Sequence, residues 1–222
     1  MKVITDHPVA TDSPDHIFPW GTARDNTSDL GFILEIEHFF GGKKIKTLDV
    51  GCSGGQLTID FNSRGHTAIG IEGSDYSLKT ARANWIPEYY NKFLFTCDAT
   101  KPYSVTDGEN NDLMRFDLIT SWEVLEHIHK DDFDTFFGNM VKHMHKDSIF
   151  CASISPKPDI VEGHILHQSV YSEDVWKNFI LTKYFDIYDY PFQNKVRLGG
   201  FWVMCTLKQS DIYGKYKGNY AD

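Results

Sequence analysis

The stretch Thr47-Leu48-Asp49-Val50-Gly51-Cys52-Ser53-Gly54-Gly55-Gln56-Leu57 constrains the fold of this chain more than any other segment. An apolar run of strand length enters a glycine-rich turn and leaves it into a helical pattern. Small residues at such a turn let a ligand approach backbone N–H groups at a helix start, where partial positive charge gathers. A dinucleotide-binding fingerprint would need glycine at 51, 53 and 56. Ser53 and Gln56 stand at the last two, which argues against hydride-transfer chemistry. The pattern is instead Asp-x-Gly-x-Ser-x-Gly.

The rest of the chain alternates around this turn. Leu30, Ile33, Ile36 and Phe40, after Ser28 as N-cap and before Gly41-Gly42, predict a helix. Strands are predicted over 46–50, 67–71, 92–97, 116–120 and 148–154, with helices over 56–63 and 76–85. Phe133, Phe136, Phe137, Met140, Val141 and Met144 form an apolar stripe behind Asp131 or Asp132 as cap, so that face is core. A further helix, capped by Ser172, turns Val175, Trp176, Phe179 and Ile180 inward. Runs 185–190 and 201–207, with no helical pattern between them, predict an antiparallel hairpin. The fold class is α/β, a single Rossmann-like domain with a mostly parallel seven-stranded sheet ending in that hairpin. Residues 1–28 read as an arm or lid, 29–208 as the domain and 209–222 as a loosely held tail.

Composition narrows the function. At 222 residues, 41% hydrophobic and 24% charged, the chain suits one soluble globular domain. A formal charge of −9, with no basic cluster beyond Lys43, Lys44 and Lys46, argues against nucleic acid as partner. The apolar runs are strand-sized and the N-terminus lacks a signal-peptide core, which predicts a cytoplasmic protein with no membrane partner. Cys52, Cys97, Cys151 and Cys205 show no zinc-ligand spacing and read as buried thiols.

Each later strand ends in residues suited to a ligand. The second ends in Glu72-Gly73-Ser74, an acid able to grip a ribose diol through two charge-assisted hydrogen bonds. The third ends in Cys97-Asp98-Ala99. The fourth runs Phe116-Asp117-Leu118-Ile119-Thr120-Ser121-Trp122-Glu123-Val124-Leu125-Glu126-His127-Ile128. Together these segments resemble the class I S-adenosylmethionine (SAM)-dependent methyltransferases, and the last is similar to the ubiquinone-biosynthesis and small-molecule or sugar branch. The resemblance implies SAM as cofactor and S-adenosylhomocysteine as product. It implies that Asp49, Gly51, Cys52, Ser53 and Gly55 cradle the cofactor, that Glu72 holds its ribose beside Gly73 and Ser74, and that Asp98 and Ala99 meet the adenine. Ser121, Trp122 and Arg24 complete the cofactor set. Two readings stand for Arg24, a partner of the methionine carboxylate or an ordinary arm salt bridge, and two for Trp122, a ligand-facing ring or core packing.

Methyl transfer asks chiefly for alignment, and a base only where the acceptor carries a proton. His127, at the end of the fourth strand, is the first candidate base, against a reading in which it packs beneath the cofactor. His167, with His164, lies after the fifth strand and is the second. No oxygen-ligand spacing suits a divalent metal, so none is expected. The leading reading is O-methylation of a small hydroxylated acceptor, a sugar first, on the strength of the histidine loop and the segment 171–176. Alternatives are N-methylation of a small amine and a catalytically silent SAM-binding subunit.

Overall fold

The computed structural model describes residues 1–197, 199–210, 212 and 214. The chain opens on β1 (Lys2–Thr5) and one helical turn, α1 (Pro14–Ile17), before α2 (Leu30–Phe39). Then come β2 (Lys46–Val50), α3 (Gln56–Ser63), β3 (Thr67–Glu72), α4 (Tyr76–Lys79) and β4 (Leu94–Thr96). β5 (Tyr103–Thr106), β6 (Phe116–Trp122), α5 (Phe133–Lys142) and β7 (Met144–Ile154) follow. The last elements are β8 (Ile160–Val161), β9 (His164–Ile165), α6 (Glu173–Val175), β10 (Phe185–Asp189) and β11 (Phe201–Leu207).

Seven strands form one sheet in the order β10-β11-β7-β6-β2-β3-β4. The five from β7 to β4 run parallel, and β11 lies antiparallel between β7 and β10. The expected hairpin is present, with Phe185 opposite Leu207 and Asp189 opposite Val203. From β2 the chain moves outward to β3 and β4, then crosses back to β6 on the other side. Strand order therefore reverses between β2 and β6, and at such a point the C-terminal strand ends leave a crevice for ligands.

Both faces of the sheet are covered, so its middle strands are buried almost end to end. Alternate residues serve opposite faces: Ile119, Phe150 and Ala152 join the stripe of Phe133, Phe136, Phe137 and Met140 from α5. Leu118, Ile149 and Cys151 join Phe32, Ile33, Ile36 and Phe39 from α2 on the other face. Truncating a fully buried ring such as Phe137 to alanine costs roughly 3–5 kcal/mol in cores of this kind.

Several local expectations are corrected. Asp29, not Ser28, caps α2, accepting the Phe32 N–H at 2.9 Å. Leu30 is then the first helical residue and is exposed. The helix expected over 76–85 stops at Lys79, because Ala81 and Ala83 take left-handed φ values of 49° and 53°. That turn is held by bonds to the glycine-rich loop: Trp85 Nε1 to the Ser53 carbonyl at 2.6 Å, and Asn84 Nδ2 to Gln56 Oε1 at 3.0 Å. Tertiary hydrogen bonds here outweigh helix propensity. The strand expected over 92–97 shortens to β4, while β7 begins at Met144, which leaves the helix stripe for the sheet. Phe179, expected inside, is exposed because Trp176–Ile180 forms a wider π-turn.

The antiparallel pair β1 and β5, with Val3 opposite Val105, and the small β8–β9 hairpin carried no clear sequence signal. All four cysteines are free and buried, as expected. Of the tail, residues 211, 213 and 215–222 lie outside the described residues, and Ile212 is buried in the cluster under α2. Among the described residues no helix is long and apolar enough to cross a membrane.

Candidate active site

The glycine-rich turn after β2 has its backbone N–H groups tied to neighbouring strand ends and to the arm. Gly51 has φ +80°, and a Cβ there would run into Val124 Cγ2, which follows β6. Gly51 and Cys52 both donate their N–H to the Ile71 carbonyl, at 2.8 and 3.0 Å. Ser53 holds a left-handed φ of 47°, donates its N–H to Glu72 Oε2 at 2.8 Å, and gives its hydroxyl to the Asp25 carbonyl at 2.8 Å. Gly55, φ +84°, precedes α3, whose Gln56 N–H is taken by Asn26 Oδ1 at 3.1 Å. An arm residue thus serves where the turn itself has no cap.

Three buried carboxyls stand at or beside consecutive strand ends. Glu72 accepts Ser53 N–H with one oxygen and Ser74 N–H with the other, at 2.8 and 3.0 Å. Burial pushes it up to about 7 against those two donors, with the charges of Asp15 and Asp25 adding to the rise. Asp49 accepts the Thr120 hydroxyl at 2.7 Å and is also raised to about 7, first by burial, then by Asp25 and Glu72. Asp98 uses Oδ1 for the N–H and hydroxyl of Thr100, at 2.9 and 2.6 Å. Buried acids that repel one another are relieved by a cationic ligand, and SAM carries both a sulfonium and an ammonium group.

A cavity of about 1220 Å³ lies over these strand ends. Its walls include the expected Arg24, Gly51, Ser53, Glu72, Gly73, Ser74, Asp98, Ala99, Trp122, His127 and His167. Asp49, Cys52, Gly55 and Ser121 stand behind it. Asp49 is fixed to Thr120, Ser121 donates to the Val50 carbonyl at 3.1 Å, and Cys52 packs with Trp85 and Leu94. The Arg24 guanidinium lies over the Trp20 ring, 3.3 Å from its centroid, and donates to the Trp20 carbonyl, so its nearest partners are in its own arm. The Trp122 ring packs edge-on to Phe32 at 5.2 Å and also lines the cavity.

The N-terminal segment crosses the mouth of this cavity. The His7 carbonyl accepts the Asp98 N–H at 3.0 Å, and the Ala10 N–H donates to the Gly73 carbonyl at 2.9 Å. α1 then places Asp15 Oδ2 2.7 Å from His127 Nδ1. Phe18 stacks on His164 at 4.6 Å, and Asp25 pairs with Arg197 at 3.0 Å. Sequence reasoning missed Asp15, Asn26 and Arg197, since nothing in their neighbourhood indicates where the arm lands.

His127 and His167 come together, their rings edge-to-face at 4.6 Å, although 40 residues separate them. Burial works against charge on His127, but Asp15, Glu126 and Asp159 together raise it to about 9. His167 is lowered, by burial and then by His127, and its Nδ1 lies 2.5 Å from the Lys157 carbonyl. Glu126, fully buried, accepts the Ser155 N–H at 2.9 Å and is raised to about 7 by burial. These three residues bring one ligand-type atom each within 4.8 Å of one another. A metal ligand must offer a free lone pair. His127 Nδ1 is turned to the Asp15 carboxylate at 2.7 Å and Glu126 spends one oxygen on the Ser155 N–H, so two of the three are already engaged elsewhere. Trp176, in the segment that suggested a sugar acceptor, is buried against Phe133 at 5.3 Å and lies outside the cavity wall.

Comparison with known proteins agrees with this geometry. Residues 47–147 match the family described as "Methyltransferase domain". The chain is 29% identical over 114 residues to a ubiquinone biosynthesis O-methyltransferase of Pelagibacter ubique, covering 51% of this chain and 43% of that protein. It therefore spans less than half the length of that relative. Among solved structures, the PH0226 protein of Pyrococcus horikoshii superposes with a TM-score of 0.56 at 14% identity, covering 87% of this chain and 98% of that one. A Burkholderia thailandensis 1,6-didemethyltoxoflavin-N1-methyltransferase, with S-adenosylhomocysteine bound, gives 0.54 at 16% identity, covering 87% and 83%. Likenesses at these identities concern the fold.

Proposed function

We propose, since residues 47–147 match a methyltransferase domain and the motifs resemble those of the class I SAM-dependent methyltransferases, that this chain transfers the methyl group of SAM to a hydroxyl of a small molecule. One observation carries the reading: Gly51, Ser53, Glu72 and Asp98, from three neighbouring strand ends, line a single cavity at the point where strand order reverses. SAM supplies an already activated methyl group, so the protein's part is to bind, orient and handle one proton.

The residues divide that work. Gly51 and Ser53 bring the turn's backbone to the cavity wall, where the cofactor approaches it. Glu72, fixed by two N–H donors, keeps a lone pair on each oxygen for a ribose diol. Asp98, whose Oδ2 is not taken by Thr100, suits the adenine amino group. Asp49 supports the turn from behind and contributes negative charge toward a cationic ligand. His127 takes the hydroxyl proton, with His167 at its edge. The acceptor class is a small hydroxylated molecule, of which sugars are one group. The O-methyltransferase activity named for the Pelagibacter relative supports oxygen as the acceptor atom.

The test is incubation of purified protein with SAM and a panel of sugars, phenols and small amines, following S-adenosylhomocysteine by mass spectrometry. Cofactor turnover dependent on a hydroxylated member supports the reading. Turnover only with amines overturns the acceptor assignment, and none with any member overturns the activity.

A further inference from the structure

The cavity contains a contact that the matched methyltransferase segment, 47–147, does not itself supply. Asp15 comes from the first turn of α1, in the arm that precedes the domain, and reaches His127 after the end of β6. Its Oδ2 lies 2.7 Å from His127 Nδ1, with the two side chains only 21% and 17% exposed. Both residues line the cavity wall.

The arm is anchored on both sides of this contact. Upstream, His7 and Ala10 are tied to Asp98 and Gly73 by backbone hydrogen bonds. Downstream, Phe18 stacks on His164, and Asp25 is bound by Ser53, Arg82 and Arg197. A carboxylate on a segment pinned at both ends holds its partner ring in a fixed plane. With Nδ1 facing the Asp15 carboxylate as a close ion pair, Nε2 is the nitrogen left for proton exchange.

We propose that Asp15 is a positioning residue for His127, a carboxylate lent by the N-terminal arm that fixes the imidazole edge and tautomer and so presents Nε2 to the acceptor hydroxyl. This rests on the methyl-transfer reading above. In the step, the acceptor O–H bond breaks and its proton passes to Nε2. The oxygen keeps the electron pair for the methyl carbon, and the proton leaves to water after turnover. Because Asp15 is not part of the strand-end set, its removal reaches cofactor binding only through its charge near Glu72, while it degrades proton transfer directly.

The charged and titratable groups facing His127 are Asp15 from α1, Glu126 from its own turn, Asp159 from the loop after β7, and His167 after β9. Three carboxyls oppose one imidazole, so removing Asp15 takes away the nearest of the groups that favour imidazolium. His127 then loses its proton at lower pH, while its ring is held less firmly. The two consequences have opposite effects on rate near neutrality, and a pH profile separates them.

The experiment is Asp15→Asn in the full chain, with His127→Gln to assign the imidazole resonance. His127 is titrated by NMR in the SAM-bound protein, without acceptor. The kcat–pH profile is then measured on whichever acceptor the panel identifies, alongside SAM titration calorimetry. The expected result is a His127 midpoint at least about one pH unit lower in Asp15→Asn. The acid limb of kcat should move with it, the plateau should fall about tenfold or more, and SAM affinity should stay within about twofold, since no cofactor contact is removed. An unchanged NMR midpoint overturns the pairing. A shifted midpoint with an unshifted limb and an unchanged plateau overturns the positioning role. A normal His127 shift in a wild type that turns over no acceptor refutes the methyl-transfer reading, and the role with it, while the ion pair stands.

Discussion

Replacing Gly51 with alanine tests the link between local backbone and cofactor turn. Two costs arise. The residue sits at φ +80°, where an L side chain crowds its own carbonyl, at roughly 1–2 kcal/mol. The new Cβ also collides with Val124 Cγ2 and lies 3.3 Å from Cγ1. Overpacking of a methyl group against a β-branched neighbour adds roughly 1–3 kcal/mol. The sum, about 2–5 kcal/mol, lowers the melting temperature by roughly 4–20 °C for a domain of this size. Val124→Ala removes both γ-methyls, so the double variant should recover the collision part and retain the backbone part, about 1–2 kcal/mol. Urea denaturation of the wild type, both singles and the double forms the cycle. A single variant as stable as wild type, or a double as unstable as the sum of the singles, would refute the claim that Gly51 is required by φ and by Val124 together.

Other expectations follow from the same contacts. Asp49 and Glu72 are both raised to about 7 when folded, so their contribution to the free protein's stability is complete below about pH 4 and is lost as pH rises through about 7. A cationic ligand favours their charged forms, so SAM affinity should climb several-fold, at most about tenfold per proton per pH unit, between pH 6 and 8; a flat profile by calorimetry would contradict it. Asn26→Ala leaves the Gln56 N–H without its 3.1 Å acceptor and should cost about 1 kcal/mol in urea denaturation, with no loss expected from Asn26→Asp. Turnover should survive prolonged EDTA treatment, whereas inactivation reversed by a divalent cation would make Glu126, His127 and His167 a metal site.

What could be read from the sequence is what local rules decide. The alternation of strand and helix, the apolar stripe of α5 and the glycine-rich turn each follow from the periodicity or backbone freedom of nearby residues, and the sheet placed Gly51, Ser53, Glu72 and Asp98 at one edge as expected. The failures are long-range. The helix expected over 76–85 ends early because Asn84 and Trp85 bond to residues some 30 positions earlier. Asp15 reaches His127 and Asn26 reaches Gln56 only after the arm has folded across the mouth, and no periodicity in 1–28 encodes where it lands. His167 joins His127 for the same reason: the loop after β7 is placed by backbone bonds from Gln168 and Ser169 to the Glu126 carbonyl, not by any pattern of its own.

Isothermal titration of the purified chain with SAM and with S-adenosylhomocysteine, repeated on Asp49→Ala and Glu72→Ala, tests the central claim most directly. Wild type should bind both ligands in roughly the micromolar range, and each variant should lose at least about tenfold, the equivalent of about 1.4 kcal/mol. No heat of binding from a folded wild-type protein, or full affinity in both variants, would contradict the assignment of this cavity to the cofactor.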